Sequence, residues 1–375
     1  MTEEERPALK FSLSELAGAF GDFGTIIPLI VAVALVTTMN IGAMLLFFGI
    51  WYMITGYYYG LPIPIEPMKA IAVIVIAERL GAGEIAAAGL ILGVLFLLMS
   101  YGPLLRWLEA AIPTSVVRGI QLGLALLLVR TSVGFIISDP LFSAIGIMII
   151  LLFLIIIFYQ ERIPDLSALI IIAIGVAAGI IINGLPQVQV LTFQALIIPP
   201  PADYIDAMYS LVPAQALLTV TNAILATALL TKDLFKREVP APHLSRSIGI
   251  MNLISVPLGG FPMCHGAGGL AGQYRYGART GGANILAGLI FIVLALFFAS
   301  ADMLTLIPVG LFGALLLFVA LEMGKHSFRT ESLPVTILIG VLALISSMTV
   351  AFFIGIIAAY LVHKSGFAKI PGSGQ

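Results

Sequence analysis

The sequence predicts an all-α polytopic membrane protein of about fourteen transmembrane segments, arranged as two inverted halves of seven spans. Three observations predict it. Hydrophobic residues fill 60% of the 375 positions and charged residues only 10%, and the mean hydropathy is +1.13, far outside the range of soluble domains. Apolar stretches of spanning length recur along the whole chain. Two stretches are too short for ordinary spans, lie about half a chain apart, and each follows a Pro/Gly-rich extended crossing.

Taken in order, the candidate spans lie near 14–36, 40–59, 67–80, 84–105, 113–136, 140–159, 165–183, 211–230, 247–259, 265–276, 281–299, 303–322, 333–348 and 350–365. The acidic start Met1-Thr2-Glu3-Glu4-Glu5-Arg6 lacks the basic region and cleavage site of a secretory signal, so the first apolar segment is expected to be retained. The segments beginning at Pro67 and His265 follow Leu61-Pro62-Ile63-Pro64-Ile65-Glu66 and Pro257-Leu258-Gly259-Gly260-Phe261-Pro262, which cannot continue a helix. Each therefore reads as a short extended crossing that leads into a half-helix.

With both termini in the cytoplasm, Arg6, Lys10, Arg106, Arg162, Lys232, Lys236, Arg237, Arg246, Arg275, Arg279, Lys325, Arg329, Lys364 and Lys369 fall at cytoplasmic ends. Only Arg79 and Arg130 fall outside, which is the bias of the positive-inside rule. An odd number of spans would place the basic C-terminal end on the wrong side. Arg118 sits near the start of a span, within reach of the cytoplasmic interface. The repeat is expected as residues 1–185, an acidic, Pro-rich extracytoplasmic linker over 186–210, and residues 211–375. Ile112-Pro113 and Ile307-Pro308 echo each other at the same offset. In an inverted repeat the substrate lies near mid-membrane, where broken helices meet.

Composition also excludes functions. One cysteine rules out an intrachain disulfide and thiolate-cluster metal sites, no metal or cofactor is expected, and a net charge of −1 argues against nucleic acid.

Four clusters carry the chemistry. In Gly21-Asp22-Phe23-Gly24-Thr25, Asp22 and Thr25 share a helix face, and a carboxylate inside a span is costly and usually functional. Glu15 reads instead as an interfacial charge. In Glu66-Pro67-Met68-Lys69-Ala70, Pro67 suits a helix start whose free N–H groups favour an anion. Lys69, at membrane depth, adds a cation, either directly or through an ion pair with Glu66 or Asp22. Gln215 and Asn222 offer neutral donors on the first span of the second half, either to a ligand or to a neighbouring helix. Cys264-His265-Gly266-Ala267-Gly268-Gly269 heads the second half-helix, where glycines let backbone N–H groups crowd toward a ligand. Cys264 reads as a small buried residue, and His265 as a pocket contact that also suits proton carriage. Asp22, Glu66 and His265 are the candidates for proton coupling. Arg275 and Arg279 read as cytoplasmic anchors.

The strings Gly21-Asp22-Phe23-Gly24-Thr25, Pro64-Ile65-Glu66-Pro67-Met68-Lys69-Ala70, Thr221-Asn222 with Lys232-Asp233-Leu234-Phe235, and Pro262 to Arg279 closely resemble the molybdate transporter branch of the sulfate permease superfamily. The resemblance runs from Ser14 to about Lys364. It implies a core domain moving against a gate domain, with molybdate as the substrate and sulfate as its nearest competitor. Two departures stand out: Glu66 occupies a position where glutamine is expected, and no C-terminal regulatory domain of the sulfate permease kind follows.

The expectation is thus a proton-coupled secondary transporter of a tetrahedral oxyanion in the plasma membrane, without enzymatic activity, with a homodimer left open. No phosphate-binding ATPase motif is present. A nucleobase or bicarbonate transporter on the same architecture, or a passive anion channel, is the alternative. A membrane-embedded enzyme built on Asp22, His265 and Cys264 lacks any nucleophile–base spacing.

Overall fold

The computed structural model describes residues 8–101, 113–159, 167–184, 191, 196–297, 307–325 and 327–364. The first half contributes α1 (Leu13–Val36), α2 (Ile41–Tyr59), α3 (Lys69–Glu78), α4 (Ala82–Met99), α5 (Thr114–Ser138), α6 (Pro140–Tyr159) and α7 (Ser167–Asn183). After α8 (Pro201–Ser210) come α9 (Val212–Phe235), α10 (Ala241–Ser255), α11 (Ala267–Tyr276), α12 (Gly282–Phe297), α13 (Val309–Gly324), α14 (Leu333–Ile345) and α15 (Met348–Lys364). Two-residue strands, β1 (Glu66–Pro67) and β2 (Met263–Cys264), precede α3 and α11. Every expected span carries a helix. Parts of the expected spans at 102–105, 165–166, 298–299, 303–306 and 365 lie outside the described residues.

Five helices, α1, α2, α4, α5 and α9, are long and apolar enough to cross a membrane, and six shorter apolar helices accompany them. Two features depart from expectation. The linker is not all loop, because Pro200 and Pro201 pre-set the backbone for the first turn of α8, which buries Ala207. Residues 185–190 and 192–195 of that stretch are outside the description. The span expected at 247–259 starts earlier, at Ala241, because Pro240 caps a first turn whose polar His243, Ser245 and Arg246 break the hydrophobic run.

Close backbone approach organises the packing. A Cβ on Gly49 of α2 would stand 2.7 Å from the Gly288 carbonyl of α12, and one on Gly56 would stand 2.6 Å from that of Gly281. Small residues at these positions let the two helices touch along their length. The pair α4 and α10 packs alike, with a Gly249 Cβ falling 2.7 Å from the Leu97 nitrogen. A second group forms where α5 packs on α13 and α14, and α6 on α13. The functional cavity lies between these two groups, lined by α1, α9 and α11 on one side and by α5, α7 and α13 on the other.

Two spanning helices are locally distorted at the cavity. In α1 a 3-10 turn covers Phe20–Asp22. In α9 a π-helical segment covers Thr219–Ala226, and the Thr227 hydroxyl donates to the Asn222 carbonyl at 3.0 Å. π segments inside α-helices recur at functional sites.

Candidate functional site

The site begins with two extended crossings that a lipid-soluble chain must satisfy internally. They satisfy each other. β1 and β2 pair antiparallel, Glu66 opposite Cys264 and Pro67 opposite Met263, and the Met68 N–H donates to the Pro262 carbonyl at 2.9 Å. Asn252 of α10 acts as a third strand: its side chain donates to the Met263 carbonyl at 2.7 Å and accepts the Met263 N–H at 2.9 Å. From this crossing α3 and α11 start at Met68 and Gly266, neither of which caps its own helix with a side chain.

The first N–H groups of a helix carry positive partial charge and need partners. Here the partners come from distant sequence. The Gln215 carbonyl oxygen accepts the Ala70 N–H at 2.9 Å and the Ile71 N–H at 3.4 Å, so a neutral amide of α9 caps α3. Gln215 in turn donates to the Thr219 hydroxyl at 2.9 Å. At α11 the partner is charged: Glu66 Oε1 accepts the Gly269 N–H at 2.9 Å. The other oxygen, Oε2, lies 2.6 Å from the Lys69 ammonium.

Around this convergence lies a cavity of about 820 Å³. Asp22, Thr25, Glu66, Lys69, Gln215, Asn222, Cys264, Ala267, Gly268 and Gly269 all line it, and Asp22 and Glu66 are 3% and 1% exposed. Asp22 accepts a hydrogen bond from the Tyr52 hydroxyl at 3.4 Å. The two carboxylates are neighbours, since a Cβ on Gly269 would lie 2.5 Å from Asp22 Oδ2 and 2.5 Å from Glu66 Oε1. Only glycine fits at 269. The close approach of α1 to α11 also depends on Gly21, whose Cβ would meet the Gln273 nitrogen at 2.6 Å.

Four expected pocket residues are placed elsewhere. Met68 and Ala70 are fully buried in the start of α3, and Gly266 packs directly beneath the Glu66 carboxylate; none of the three lines the cavity. His265 is also 0% exposed and absent from the cavity lining. Its Nε2 sits 2.7 Å from the Ser247 hydroxyl and its Nδ1 3.0 Å from the Pro64 carbonyl. Both ring nitrogens thus tie α10 and the first crossing together.

One further reading is corrected. Glu15 is 2% exposed and accepts hydrogen bonds from Thr280 N–H at 3.0 Å and the Thr280 hydroxyl at 3.1 Å, so it is a buried loop anchor instead of an interfacial charge. Arg275 lines the cavity. Arg279 stacks on Tyr274, 3.8 Å from the ring centre, as a structural residue. Sequence reasoning missed Tyr52, an aromatic in an apolar run with no local signal. It also passed over the cavity position of Arg118, whose signal was a lone arginine one turn into an apolar helix. Among the described residues no group of three His, Cys, Asp or Glu forms a metal-binding cluster.

The chain matches the family model described as "Molybdate transporter of MFS superfamily" over residues 14–128 and 207–323. It is 33% identical to molybdate transporter 1 of Arabidopsis thaliana, over 83% of this chain and 79% of that protein. Molybdate transporter 2 of the same plant is 31% identical, covering 94% and 87%. Among solved structures, the transmembrane domain of the cyanobacterial bicarbonate transporter BicA superposes with a TM-score of 0.67 at 14% identity, covering 94% of this chain and 98% of that one. The murine anion transporter Slc26a9 in its inward-facing state gives a TM-score of 0.71 at 13% identity, covering 97% and 70%. The fold is thus that of SLC26-type anion transporters, whatever superfamily the family description names.

Proposed function

The chain belongs to the molybdate transporter family, and from that premise we propose that it is a proton-coupled secondary transporter of molybdate, with sulfate as the second substrate. The observation that carries the reading is that one cavity is lined by Lys69 at the start of α3 and by Ala267, Gly268 and Gly269 at the start of α11. Such N-termini suit a tetrahedral anion, because N–H groups and dipole point at it.

Coupling follows from charge. At the convergence stand two carboxylates and one ammonium, and the Glu66 carboxylate already holds the N–H at which an oxyanion would dock. Bringing in a dianion near an ionised carboxylate costs about 3 kcal/mol per pair of unit charges at ~5 Å and an effective dielectric of ~20. Protonation of Glu66 or Asp22 removes that cost. Substrate and proton then enter together, and the carboxyl that titrates is Glu66 or Asp22. A nucleobase would need Glu66 free to accept its N–H groups, whereas Glu66 is committed to Gly269 and Lys69.

The transport cycle rests on an inverted repeat with halves 1–185 and 211–375, joined over 186–210. Two facts support the repeat. The family model matches two stretches of nearly equal length, half a chain apart. The helix pairings also exchange, the second span of the first half with the fourth of the second (α2 with α12), and the fourth of the first with the second of the second (α4 with α10). The group holding α1, α3, α9 and α11 is the core, the group of α5, α6, α13 and α14 the gate, and sliding between them opens the cavity to alternate sides. The working location is the plasma membrane with both termini cytoplasmic.

The test is uptake of labelled molybdate into proteoliposomes under an imposed proton or sodium gradient, with sulfate as competitor and counterflow to separate exchange from channel conduction. Accumulation under a pH gradient and counterflow are expected. Uptake driven only by sodium removes proton coupling, and conduction without counterflow removes the carrier reading.

A further inference from the structure

The cavity carries a second charged region that substrate binding at the crossing does not use. Arg118 of α5, Arg275 at the end of α11, and Lys325 and Arg329 just beyond α13 all line it. All four lie at ends the sequence assigns to the cytoplasm. Anchoring residues meet lipid headgroups at the perimeter; these four line the cavity.

The region is built. Arg118 Nη1 donates to the Gln121 amide oxygen at 3.0 Å, and Arg118 Nε is buried with no hydrogen-bond partner. A buried unpartnered donor on a charged group is costly and calls for an explanation. Arg329 lines the same cavity as Arg118. Its loop is held against α5: the Thr336 hydroxyl bonds the Ser115 carbonyl at 3.2 Å and the Thr330 hydroxyl at 2.8 Å. Among the described residues neither guanidinium has a carboxylate at ion-pair distance. Among the described residues the carboxylates lining the cavity are Asp22 and Glu66, which neighbour each other beside Gly269.

From this we propose a second oxyanion site at the cytoplasmic mouth, in which Arg118 and Arg329 hold a tetrahedral dianion that Arg275 and Lys325 also face. A planar guanidinium fork matches two oxygens of such an ion, and the ion satisfies the unpartnered Nε. Arg118 and Arg329 belong to the α5–α13 group and Arg275 to α11, so an ion there also bridges the two groups that line the cavity. The inference rests on the transport reading and adds a station to it. The ion is the free oxyanion and not a lipid phosphate, because the cations line the cavity.

Equilibrium dialysis of labelled molybdate tests it, with purified full-length protein in a maltoside detergent free of phospholipid. The parent is expected to bind two ions per chain, the weaker one sensitive to salt. Arg118→Gln combined with Arg329→Gln should weaken the second class at least ten-fold and leave the first; Lys69→Gln should do the reverse. Arg118→Lys, which keeps the charge and loses the fork, should give an intermediate loss, and it serves as the readout if the double variant does not fold. One class of site, unchanged in the arginine variants, overturns the mouth site and leaves transport standing. A parent that binds no molybdate overturns both readings. Phosphatidylglycerol binding that depends on Arg118, without a second molybdate, overturns the free-ion assignment.

Discussion

Glu66 and Gly269, 203 residues apart in sequence, form one anion-and-cradle pair: the carboxylate accepts the N–H that opens α11 at 2.9 Å. The protein's own side chain thus occupies the position that the helix N-terminus offers to an oxyanion. An ordinary anion site would stand open; this one must be vacated.

Gly269→Ala is expected to abolish uptake. Its Cβ would lie 2.5 Å from both Asp22 Oδ2 and Glu66 Oε1, and such overpacking costs about 1–3 kcal/mol. A Cβ on Gly268 meets nothing within 4 Å, so Gly268→Ala should keep the parent's unfolding temperature. Thermal unfolding and proteoliposome uptake on both variants check the contrast; equal unfolding temperatures would contradict the cradle.

Glu66→Gln keeps an acceptor for the Gly269 N–H and removes the charge that Lys69 pairs with. Molybdate binding should strengthen by about ten-fold, equivalent to ~1.4 kcal/mol, while accumulation driven by a pH gradient falls. Asp22→Asn is the parallel test. If both variants still concentrate molybdate under a pH gradient alone, neither carboxyl carries the proton.

Lys69→Ala should lose uptake, because it strips the one ammonium from the crossing and leaves Glu66 buried without its ion partner. Arg279→Ala should retain most of it, since that side chain stacks on Tyr274 and bonds the Tyr274 and Ala278 carbonyls. Comparable losses in two well-inserted variants would separate Lys69 from the substrate.

His265→Phe removes the bridge between Ser247 and the Pro64 carbonyl. Leaving buried polar groups unpaired costs about 1–3 kcal/mol, so the unfolding temperature should fall. The pH dependence of uptake in the folded fraction should not move. A shifted pH profile would return His265 to the coupling path.

The span pattern was legible because burial in lipid demands long apolar runs, and Pro and Gly mark where a helix must stop. Asp22, Glu66 and Lys69 were legible for the complementary reason: a charge inside a span costs too much to be idle. The turn of His265 toward Ser247 was not, since a lone histidine beside glycines looks the same facing a cavity or a neighbouring helix. Arg118 and Arg275 were hidden by the positive-inside rule, which explains a basic residue at a helix end without saying which way it faces.

By itself, then, the sequence determined where apolar helices form, where they break and which buried residues are charged, because these depend on local composition alone. Only the tertiary structure decided partners and facing. A helix that is apolar all round has no polar stripe to reveal its inner face, so its orientation is fixed by packing against helices distant in the chain. That packing is what sets Gln215 over the start of α3, Glu66 over the start of α11 and Arg118 in the cavity lining.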